Sequence, residues 1–340
     1  MTDANPAAGP CPFCHAQAAA LVVAGRDWEF GTPSEYYVYR CRRCSWRWTM
    51  PRLTPAQLAA LYPPENYYAY RPGARPLGAA REAVIRVMFG YPNWVKPAWR
   101  AWARAAAPLF RRRYYGIPRY VRGGRLLDVG AGAGHYLAVG ASLGWYAVGV
   151  ELNPGAVGEA RAAGLYAVAG DAAAVLAGAD LPGTFDFVRI HHALEHVADP
   201  AAVLRAAAAV ARPDARLLVA VPNAAGVLAR LFGRFWYHWA LPFHQSHFDA
   251  PALRGLLRVT GWEPEREYCV SSAEGITQSL RYALCREKAA ARPWRWSRGA
   301  VWGKLLRPVL FALDVLHLGE NLIIEAVRRQ PTPHESGRAV

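Results

Sequence analysis

The sequence predicts an α/β protein whose core is a mostly parallel sheet with helices on both faces. The 340-residue chain is long enough for one large core and an appendage. A short apolar run at 126–129 is followed by three glycines at every second position, which is typical of a buried strand that turns into a helix. Two further apolar runs, 148–150 and 167–169, each lead to an acid at strand–helix spacing, which favours repeated β-α units.

The glycine-rich turn follows Asp128 and contains Gly130, Gly132 and Gly134, with a helix expected to start near His135. Glycine is needed there because a Cβ atom would disfavour a positive φ and keep the backbone away from a ligand. The N-terminus of the next helix offers free N–H groups to a nucleotide or a carboxylate. The spacing differs from the dinucleotide fingerprint G-x-G-x-x-G, because the third glycine comes one residue early.

Two acids stand at the ends of the next two predicted strands. Glu151 follows the strand 148–150 and is suited to accept hydrogen bonds from both hydroxyls of a ribose. Asp171 follows the strand 167–169 and is placed to meet an adenine amino group. Because both acids precede a predicted helix, the alternative is that they cap helix N-termini.

A fourth predicted strand, 185–190, leads into the segment 194–200, which reads Leu-Glu-His-Val-Ala-Asp-Pro. Four elements therefore follow one another along the chain: strand-Asp-x-Gly-x-Gly-x-Gly, strand-Glu, strand-Gly-Asp and this segment. This order resembles that of the class I S-adenosylmethionine-dependent methyltransferases. The resemblance covers 123–288 and 318–329, about half of the chain. It implies a Rossmann-like, seven-stranded methyltransferase sheet and S-adenosylmethionine as the cofactor.

The resemblance also implies roles for residues in the cofactor half of the chain. Asp128 would fix the turn and meet the amino group of the cofactor through water. Glu151 would bind the ribose hydroxyls, and Asp171 would bind the adenine. The methionine part of the cofactor would be surrounded by Gly130, Gly132 and Gly134.

Candidate general bases are the histidines that follow the fourth and fifth strands, because this fold opens its active site at the carboxyl edge of the sheet. His192 is nearest to the strand end, His196 follows four residues later, and His244 lies in a later loop. For each of them, packing or capping is the alternative. Sugar C-methyltransferases that also carry an N-terminal cysteine zinc domain place a Glu-His dyad near His244. Here the matching pair is Phe243-His244, so the glutamate is missing.

Candidate substrate-binding residues come from two segments that resemble the same zinc-bearing methyltransferases. His247 belongs to a His-x-x-His-Phe segment, 244–248, in a loop that can reach over the pocket. Tyr67 and Tyr68 lie in an aromatic stretch, 61–70, that in those relatives joins the zinc domain to the core and borders the substrate pocket. A linker that only packs against the core is the alternative for the two tyrosines.

Four of the six cysteines form two Cys-x-x-Cys knuckles, Cys11 with Cys14 and Cys41 with Cys44. Four thiolates at such spacings are typical of a tetrahedral zinc site, although the gap of 26 residues between the knuckles is longer than usual. The intervening segment has room for two short strands, as in a zinc ribbon. Disulfides or a redox pair are the alternatives, and the absence of an export signal in the sequence argues against disulfides.

The net charge of +15 is unevenly distributed along the chain. Segment 71–125 has thirteen basic residues and one acid, and segment 286–307 has seven basic residues and one acid. Both regions carry tryptophans at helical spacing, so 99–111 predicts a basic amphipathic helix and 302–316 a second helix between the last two strands. Three functions fit these helices: a substrate lid on the core, an anchor at an anionic membrane surface, or nucleic-acid binding.

These signals predict a zinc ribbon at 1–50, a basic linker at 51–122 and an S-adenosylmethionine-binding domain at 123–329. A helical insertion is predicted at 289–317 and a disordered tail at 330–340. The predicted function is methyl transfer to a hydroxyl or carbon of a sugar, a lipid-linked glycan or a related small molecule, in the cytoplasm or at the inner face of the membrane. The alternatives are an RNA methyltransferase guided by the ribbon and the linker, which is disfavoured because no RNA-binding module is recognisable, and an inactive zinc-bearing interaction module.

Overall fold

Two β-sheets organise the residues that the structure describes, one of seven strands and one of four. The structure is a computed structural model. It describes residues 8–31, 34–54, 57–58, 61, 73–92, 100–105, 116–178, 181–285 and 299–329, with the backbone alone over 299–304. Tyr67, Tyr68, most of the predicted linker helix, 286–298 and the tail at 330–340 lie outside the described residues.

The strands alternate with helices over most of the described chain. The strands are β1 (Ala19–Arg26), β2 (Glu35–Cys41), β3 (Arg47–Met50), β4 (Arg125–Val129), β5 (Tyr146–Glu151), β6 (Tyr166–Ala169), β7 (Phe185–His191), β8 (Ala211–Pro222), β9 (Ser246–His247), β10 (Trp262–Val270) and β11 (Asn321–Arg328). The helices are α1 (Ala79–Phe89), α2 (His135–Ser142), α3 (Pro154–Ala162), α4 (Ala172–Ala177), α5 (Pro200–Val210), α6 (Val227–Phe232), α7 (Ala250–Val259), α8 (Ala273–Cys285) and α9 (Gly299–Val315).

The seven-stranded sheet has the strand order β10-β11-β8-β7-β4-β5-β6. The strands from β8 to β6 run parallel to one another, whereas β11 is antiparallel to both of its neighbours. This confirms the predicted seven-stranded, mostly parallel sheet. Because the carboxyl ends of parallel strands lie at one edge, the residues that follow β4, β5, β6 and β7 come together there.

The strands of this sheet are apolar because helices cover both of its faces. In β4, Leu127 and Val129 belong to one buried cluster and Leu126 belongs to another. The first cluster also contains Trp262, whose Nε1 donates to the carbonyl oxygen of Leu204 at 3.0 Å. Alternate residues of one strand therefore stabilise the two helical layers. The indole ring of Trp262 is buried, and its N–H group has a hydrogen-bond acceptor.

The connection between β10 and β11 carries the two helices α8 and α9. The sequence predicted a helical insertion at 289–317, and α9 spans 299–315 of it. Asp314 fastens α9 to the end of β10, because its carboxylate accepts from the backbone N–H of Ser271 at 3.1 Å and from the Ser271 hydroxyl at 2.6 Å.

The N-terminal sheet has the order β1-β2-β3-β9, and its last strand comes from the methyltransferase half of the chain. β3 pairs antiparallel with β9, with Arg47 opposite His247 and Trp48 opposite Ser246. The sequence predicted the strands between the cysteine knuckles but not β9, which is two residues long. The N-terminal sheet is therefore docked by strand addition, and its edge strand is covered by the larger domain.

A buried ion pair closes this contact between the two sheets. Arg47 Nη1 lies 2.7 Å from Asp249 Oδ2, and both side chains are less than a tenth exposed. The other carboxylate oxygen of Asp249 accepts from the backbone N–H of Ala252 at 3.0 Å and so caps α7. One carboxylate thus joins the N-terminal sheet to the start of a core helix.

The glycine turn after β4 adopts the backbone conformation that its sequence predicts. Gly130, Gly132 and Gly134 have φ angles of 79°, 53° and 83°, all in the left-handed region. A Cβ atom at Gly130 would lie 2.5 Å from the Cβ of Ala193, which belongs to the loop after β7. Glycine is therefore required at 130 both for the turn and for the approach of the neighbouring loop.

The steric part of this requirement can be separated from the conformational part. Gly144 has a φ of 92°, and a Cβ atom there would have no described neighbour within 4 Å. Gly144→Ala should therefore cost only the left-handed penalty of about 1–2 kcal/mol. Gly130→Ala adds an overpacking cost of about 1–3 kcal/mol against Ala193. Denaturant unfolding of both variants measures the difference, and equal losses would contradict the close approach of the two loops.

The ion pair and the helix cap at Asp249 can be separated in the same way. Asp249→Asn keeps a cap acceptor but leaves Arg47 buried without its partner, which should lower the free energy of unfolding by about 3 kcal/mol. Asp249→Ala should cost about 1 kcal/mol more, because the cap is lost as well. Asp199→Asn is the control, since the exposed Asp199 caps α5 in the same manner. A loss below about 1 kcal/mol in Asp249→Asn would contradict the role of the pair.

Candidate functional site

Glu151 lies at the carboxyl end of β5, directly beside the glycine turn. Its Oε2 accepts from the backbone N–H of Gly132 at 2.9 Å, and its Oε1 accepts from that of Asn153 at 3.0 Å. The residue is buried, with 8% of its surface exposed. Because each carboxylate oxygen has two lone pairs, Glu151 can hold the turn and still accept hydrogen bonds from a ligand.

Asp128 is joined to Arg189, a partner that the sequence analysis did not identify. Arg189 Nη1 donates to Asp128 Oδ1 at 2.8 Å, and the two residues face each other in the parallel β4–β7 pair. Burial raises the pKa of Asp128, and the guanidinium opposes that shift. Arg189 also lies over the ring of Tyr136 at 4.0 Å, and the Tyr136 hydroxyl donates to the carbonyl of Gly116. Asp128 therefore fastens β7 and α2 beneath the glycine turn.

Asp171 caps α4, which is the alternative that the sequence analysis left open for it. Its Oδ1 accepts from the backbone N–H of Ala174 at 3.1 Å, and the residue is exposed. The N–H of Gly170 donates to the carbonyl oxygen of Glu151 at 2.9 Å, so the ends of β5 and β6 are held together. The cap uses one carboxylate oxygen and leaves Asp171 at the same edge as Glu151.

His192 forms a pair with Glu195 at the end of β7. His192 Nδ1 lies 3.1 Å from Glu195 Oε1, and the histidine side chain is 23% exposed whereas the glutamate side chain is 1% exposed. His192 has a φ of 52°, and its backbone N–H donates to the carbonyl oxygen of Ala220 at 2.9 Å. Burial would raise the pKa of Glu195, but the hydrogen bond from His192, together with the charges of His192 and His196, lowers it. The pair is therefore a carboxylate that orients an accessible imidazole.

His196 and His244 lie against each other behind this pair, with ring centroids 4.5 Å apart. His244 Nδ1 lies 2.8 Å from the carbonyl oxygen of His238, and the ring of His196 bonds to the carbonyl of Phe243. Burial lowers the pKa of both imidazoles, that of His244 well below its ordinary value. Both rings are consequently neutral at pH 7, each with one nitrogen protonated and the other carrying a lone pair.

His247 lies in the contact between the two sheets. Its Nε2 is 3.0 Å from the hydroxyl oxygen of Thr49 in β3, and the residue is 4% exposed. Burial lowers the pKa of His247 to about 3, so the ring is neutral. The described contacts of His247 are thus with the N-terminal sheet and with the rings of Trp239 and His244, whose centroids are 5.0 Å and 6.2 Å away.

The sequence lacks a glutamate before His244, but among the described residues two hydrogen-bonded His–Glu pairs form from other residues. The first is His192 with Glu195. The second is His238 with Glu320, in which His238 Nε2 lies 2.8 Å from Glu320 Oε1. The first pair was within reach of sequence reasoning, because both members belong to one motif. The second joins residues 82 positions apart, and no local signal relates them.

The four cysteines of the two knuckles come together as predicted. Their sulfur atoms all lie within 4.8 Å of one another, with Cys11 3.6 Å from Cys44 and Cys14 3.5 Å from Cys41. Zn–S bonds of about 2.3 Å in a tetrahedron imply sulfur separations of about 3.8 Å, so the arrangement fits one zinc ion. Burial would raise the pKa of Cys41, but backbone N–H groups of Cys44 and Arg43 lower it to about 7. All four thiols are free of disulfides.

The two knuckles also have the same backbone hydrogen bonds. The N–H of Cys11 donates to Ala16 and that of Cys41 to Trp46, in each case to the carbonyl five residues on. The residue after each second cysteine, His15 or Ser45, has a positive φ. This local symmetry presents two thiols from each side of one centre and supports the zinc-ribbon fold.

None of the described helices is both long and apolar enough to cross a lipid bilayer.

The chain matches known methyltransferases over much of its length. The sequence profile of a methyltransferase-domain family matches residues 99–267. A ubiquinone biosynthesis O-methyltransferase from Xanthomonas euvesicatoria pv. vesicatoria (strain 85-10) is 34% identical over 195 residues, which are 51% of this chain and 81% of that protein. The protein of the same name from Ralstonia nicotianae is 32% identical over 204 residues, 57% of this chain and 79% of that one.

Solved structures of methyltransferases are similar at low sequence identity. A SAM-dependent methyltransferase from Archaeoglobus fulgidus is 18% identical and the match covers 67% of this chain and 94% of that chain, with a TM-score of 0.42. A methyltransferase from Mesorhizobium loti is 19% identical over 66% of this chain and 98% of that chain, also with a TM-score of 0.42. On the profile match and the two sequence relatives, this chain belongs to the class I S-adenosylmethionine-dependent methyltransferases.

Proposed function

We propose that this enzyme methylates a hydroxyl group of a sugar, a lipid-linked glycan or a related small molecule. The observation that carries the proposal is the contact between the glycine turn and the loop that holds the His192–Glu195 pair. Ala193 packs so closely on Gly130 that a Cβ atom there would clash with it. An accessible imidazole with an orienting carboxylate thus stands next to the turn that receives the cofactor. The sequence relatives, which are named O-methyltransferases, favour oxygen over carbon as the acceptor atom.

The cofactor site in this proposal is the carboxyl edge of the parallel strands. Glu151 binds the ribose hydroxyls while it keeps its bond to the glycine turn, and Asp171 meets the adenine with the carboxylate oxygen that does not cap α4. The backbone of the three glycines surrounds the methionine part. Asp128, paired with Arg189, positions the turn. S-adenosylmethionine supplies an activated methyl group, so the protein has to orient the acceptor and remove its proton.

The general base in this proposal is His192. Glu195 accepts from Nδ1 and so fixes the tautomer, which leaves the Nε2 lone pair for the hydroxyl proton. The His192 side chain is 23% exposed, whereas His244 is 6% exposed. His247 contacts the ribbon, and Tyr67 and Tyr68, outside the described residues, remain candidates for stacking on a sugar.

A basic cavity of about 380 Å³ between the N-terminal sheet and α6 supports a phosphorylated acceptor. Arg47 contributes a guanidinium whose Nε has no hydrogen-bond partner among the described residues, although Nη1 pairs with Asp249. The wall also includes Trp239, which contacts His247. Guanidinium groups bind phosphate well, so the cavity suits the phosphate of a nucleotide-linked or lipid-linked sugar. Its four arginines are Arg40, Arg47, Arg230 and Arg234.

An exposed apolar surface on α9 supports a membrane-bound acceptor. Its large side chains are between 49% and 64% exposed. The helix is not long and apolar enough to cross a bilayer. Arg307 lies on the same helix and is exposed, so the surface suits an anionic membrane face. We therefore propose that the enzyme works at the inner face of the membrane. The surface consists of Leu305, Val309, Phe311, Val315 and Leu316.

RNA is the second candidate substrate. The net charge of +12 over 71–125 and the N-terminal cysteine domain favour it. The small-molecule acceptor is preferred because an RNA strand needs an extended groove with stacking aromatics, whereas the basic cavity has a volume of about 380 Å³ and Trp239 as the single described aromatic side chain of its lining.

We also propose that the N-terminal domain binds one zinc ion. One zinc ion held by Cys11, Cys14, Cys41 and Cys44 would offset two of the four thiolate charges and lock both knuckles. Because β3 follows the second knuckle directly, the ion would also hold β3 against β9. Zinc in this position has a structural role, since four protein ligands leave no open coordination position.

Methyl-labelled S-adenosylmethionine, the purified chain and a fractionated cell extract test the acceptor class. We expect label in small molecules that resist nuclease, in the organic phase for a lipid-linked glycan or in the aqueous phase for a nucleotide-linked sugar. His192→Asn should lower the rate by about 100-fold or more, because the general base is lost. His317→Asn, on an exposed side chain, is the control. Label in a nuclease-sensitive fraction would contradict the proposal and support RNA.

Metal analysis of cysteine variants tests the ribbon. Cys14→Ser and Cys41→Ser should each lose one equivalent of zinc and melt at a lower temperature, because the remaining thiolates no longer close the site. Cys285→Ser is the matched control, since Cys285 is a free thiol in α8, away from the knuckles. Zinc content that is the same in all three variants and the wild type would contradict a four-thiolate site.

A further inference from the structure

The pair formed by His238 and Glu320 lies beside the proposed base but has no role in the methyl transfer described above. The rings of His238 and His192 are nearly parallel, with 8° between their planes and 6.4 Å between their centroids. His238 belongs to the 3₁₀ turn Tyr237–Trp239, which follows α6, and Glu320 comes directly before β11. Two imidazole–carboxylate pairs from three separate segments of the chain thus meet in one place.

The carboxylate of Glu320 is held in one position from several sides. Its side chain is fully buried, and Oε2 accepts from the backbone N–H of Ser272 at 3.0 Å and from the Ser272 hydroxyl at 3.2 Å. A Cβ atom at Gly275 would overlap with Oε1, so glycine leaves the space that the carboxylate fills. The carbonyl oxygen of Glu320 accepts at 2.8 Å from the N–H of Asn223, which directly follows β8. This places the pair at the carboxyl edge of the parallel strands.

The pair determines which nitrogen of His238 is left for a ligand. Burial would raise the pKa of Glu320, but the hydrogen bond and charge of His238, together with the bonds from Ser272, lower it. The ionised carboxylate accepts but cannot donate, so His238 Nε2 carries the proton and the neutral ring has its lone pair on Nδ1. Nδ1 has no hydrogen-bond partner among the described residues, and the side chain is 16% exposed.

His192 presents its other nitrogen in the opposite sense. Glu195 binds Nδ1 of His192, which leaves Nε2, whereas Glu320 binds Nε2 of His238, which leaves Nδ1. Each carboxylate fixes one tautomer, so each imidazole offers one hydrogen-bond acceptor to a ligand. The two acceptors belong to neighbouring, parallel rings and so can reach the same small molecule.

The turn that carries His238 is anchored independently of any ligand. The N–H of Tyr237 donates to the hydroxyl of Ser279 in α8 at 2.9 Å. The buried ring of Trp236 lies against His238 with its centroid 5.5 Å away and an angle of 66° between the planes. The imidazole is therefore preorganised, as a residue that positions a substrate requires.

From this geometry we propose that His238 binds the acceptor molecule through a second hydroxyl, beside the hydroxyl that His192 deprotonates. The assignment rests on the proposed O-methylation. A hydrogen bond spans about 3 Å, so two hydroxyls of one molecule can bridge rings whose centroids are 6.4 Å apart. His238 takes no proton from the reacting oxygen, and its bond to the second hydroxyl is the same before and during methyl transfer. Glu320 is a positioning residue, since it acts through His238.

This arrangement determines specificity through the hydroxyl that is not methylated. An acceptor without the second hydroxyl would leave the lone pair of His238 without a donor, and such a loss is unfavourable in a partly buried site. Sugars carry several hydroxyls on one ring and satisfy both imidazoles at once. The pair thus favours a polyhydroxylated acceptor within the class proposed above.

Two substitutions of His238 separate acceptor binding from a structural role. The amide of asparagine lies near the position of Nδ1, and the amide of glutamine lies near that of Nε2. His238→Gln should therefore keep the bond to Glu320 but lose the contact with the acceptor, whereas His238→Asn should do the reverse. The acceptor probe is the nuclease-resistant small-molecule fraction of the cell extract, diluted in steps, with methyl-labelled S-adenosylmethionine.

We expect His238→Gln to raise the apparent KM for this fraction by about 10-fold, with a much smaller change in kcat and in the KM for S-adenosylmethionine. His238→Asn should raise the acceptor KM less but melt at a lower temperature, because Glu320 loses its partner. His192→Asn should lower kcat instead. His317→Gln, on an exposed side chain, is the control. Glu320→Gln is the second variant if His238→Gln does not fold, and it should raise the acceptor KM by about 3-fold.

An unchanged acceptor KM in folded His238→Gln, or in Glu320→Gln where that variant replaces it, would overturn the assignment. So would an acceptor KM that rises more in His238→Asn than in His238→Gln, because the bond to Glu320 would then be the part that matters. Failure of the proposed function gives a different result. Wild-type enzyme would then transfer no label to the nuclease-resistant fraction, and the function assigned to His238 would fall with it.

Discussion

The arrangement of the active site depends on the contact between β3 and the segment 244–249. This segment consists of the two-residue strand β9 and the residues on either side of it, and every residue in it is buried, so its backbone groups need partners inside the protein. β3 supplies several of them. The Thr49 hydroxyl donates to the carbonyl oxygen of His244, the Thr49 N–H donates to that of Gln245, and Arg47 pairs with Asp249. Without the N-terminal sheet, the segment that carries His244 would lose these three contacts and keep only those with the core.

The N-terminal domain is therefore a structural part of the site as well as a candidate recognition module. A ribbon that only recruited a substrate would need a flexible connection, whereas this one shares a sheet with the core through β9. The shared sheet also explains where the basic cavity lies, because Arg40 and Arg47 come from the ribbon while Arg230 and Arg234 come from α6 and the turn after it. Folding of the cysteine site and formation of this cavity are consequently linked.

The features that the sequence predicted are those encoded within about ten residues. The apolar run, the glycines and the acid after each strand report local backbone needs, and they were sufficient for the sheet and the turn at Gly130. The cysteine spacing was similarly local. Pairs that depend on tertiary contact were missed, among them Arg47 with Asp249, 202 positions apart, and Asp128 with Arg189 across two strands. For Asp171 the structure shows helix capping, the alternative that the sequence had left open.

The large positive charge has a partly structural explanation. Within the described residues, Arg189 holds Asp128, Arg47 holds Asp249, and Arg281 bonds to Glu29 of the ribbon, so several arginines serve as buried or half-buried ion-pair partners. An arginine excess of this kind needs no nucleic acid to account for it. The basic cavity also presents Arg40, Arg230 and Arg234, which are exposed.

Burial of the histidines suits the chemistry of a sulfonium cofactor. Methyl transfer from a cationic sulfur to an anionic oxygen destroys both charges, so a site of low polarity favours the reaction once the oxygen has lost its proton. Protonated imidazoles would repel the sulfonium, and burial prevents this by lowering the pKa of His196, His244 and His247. The difficult step is then deprotonation of the hydroxyl in a place that disfavours anions. In the proposed mechanism, Glu195 meets part of that need, because its Oε1 orients His192, the proposed base.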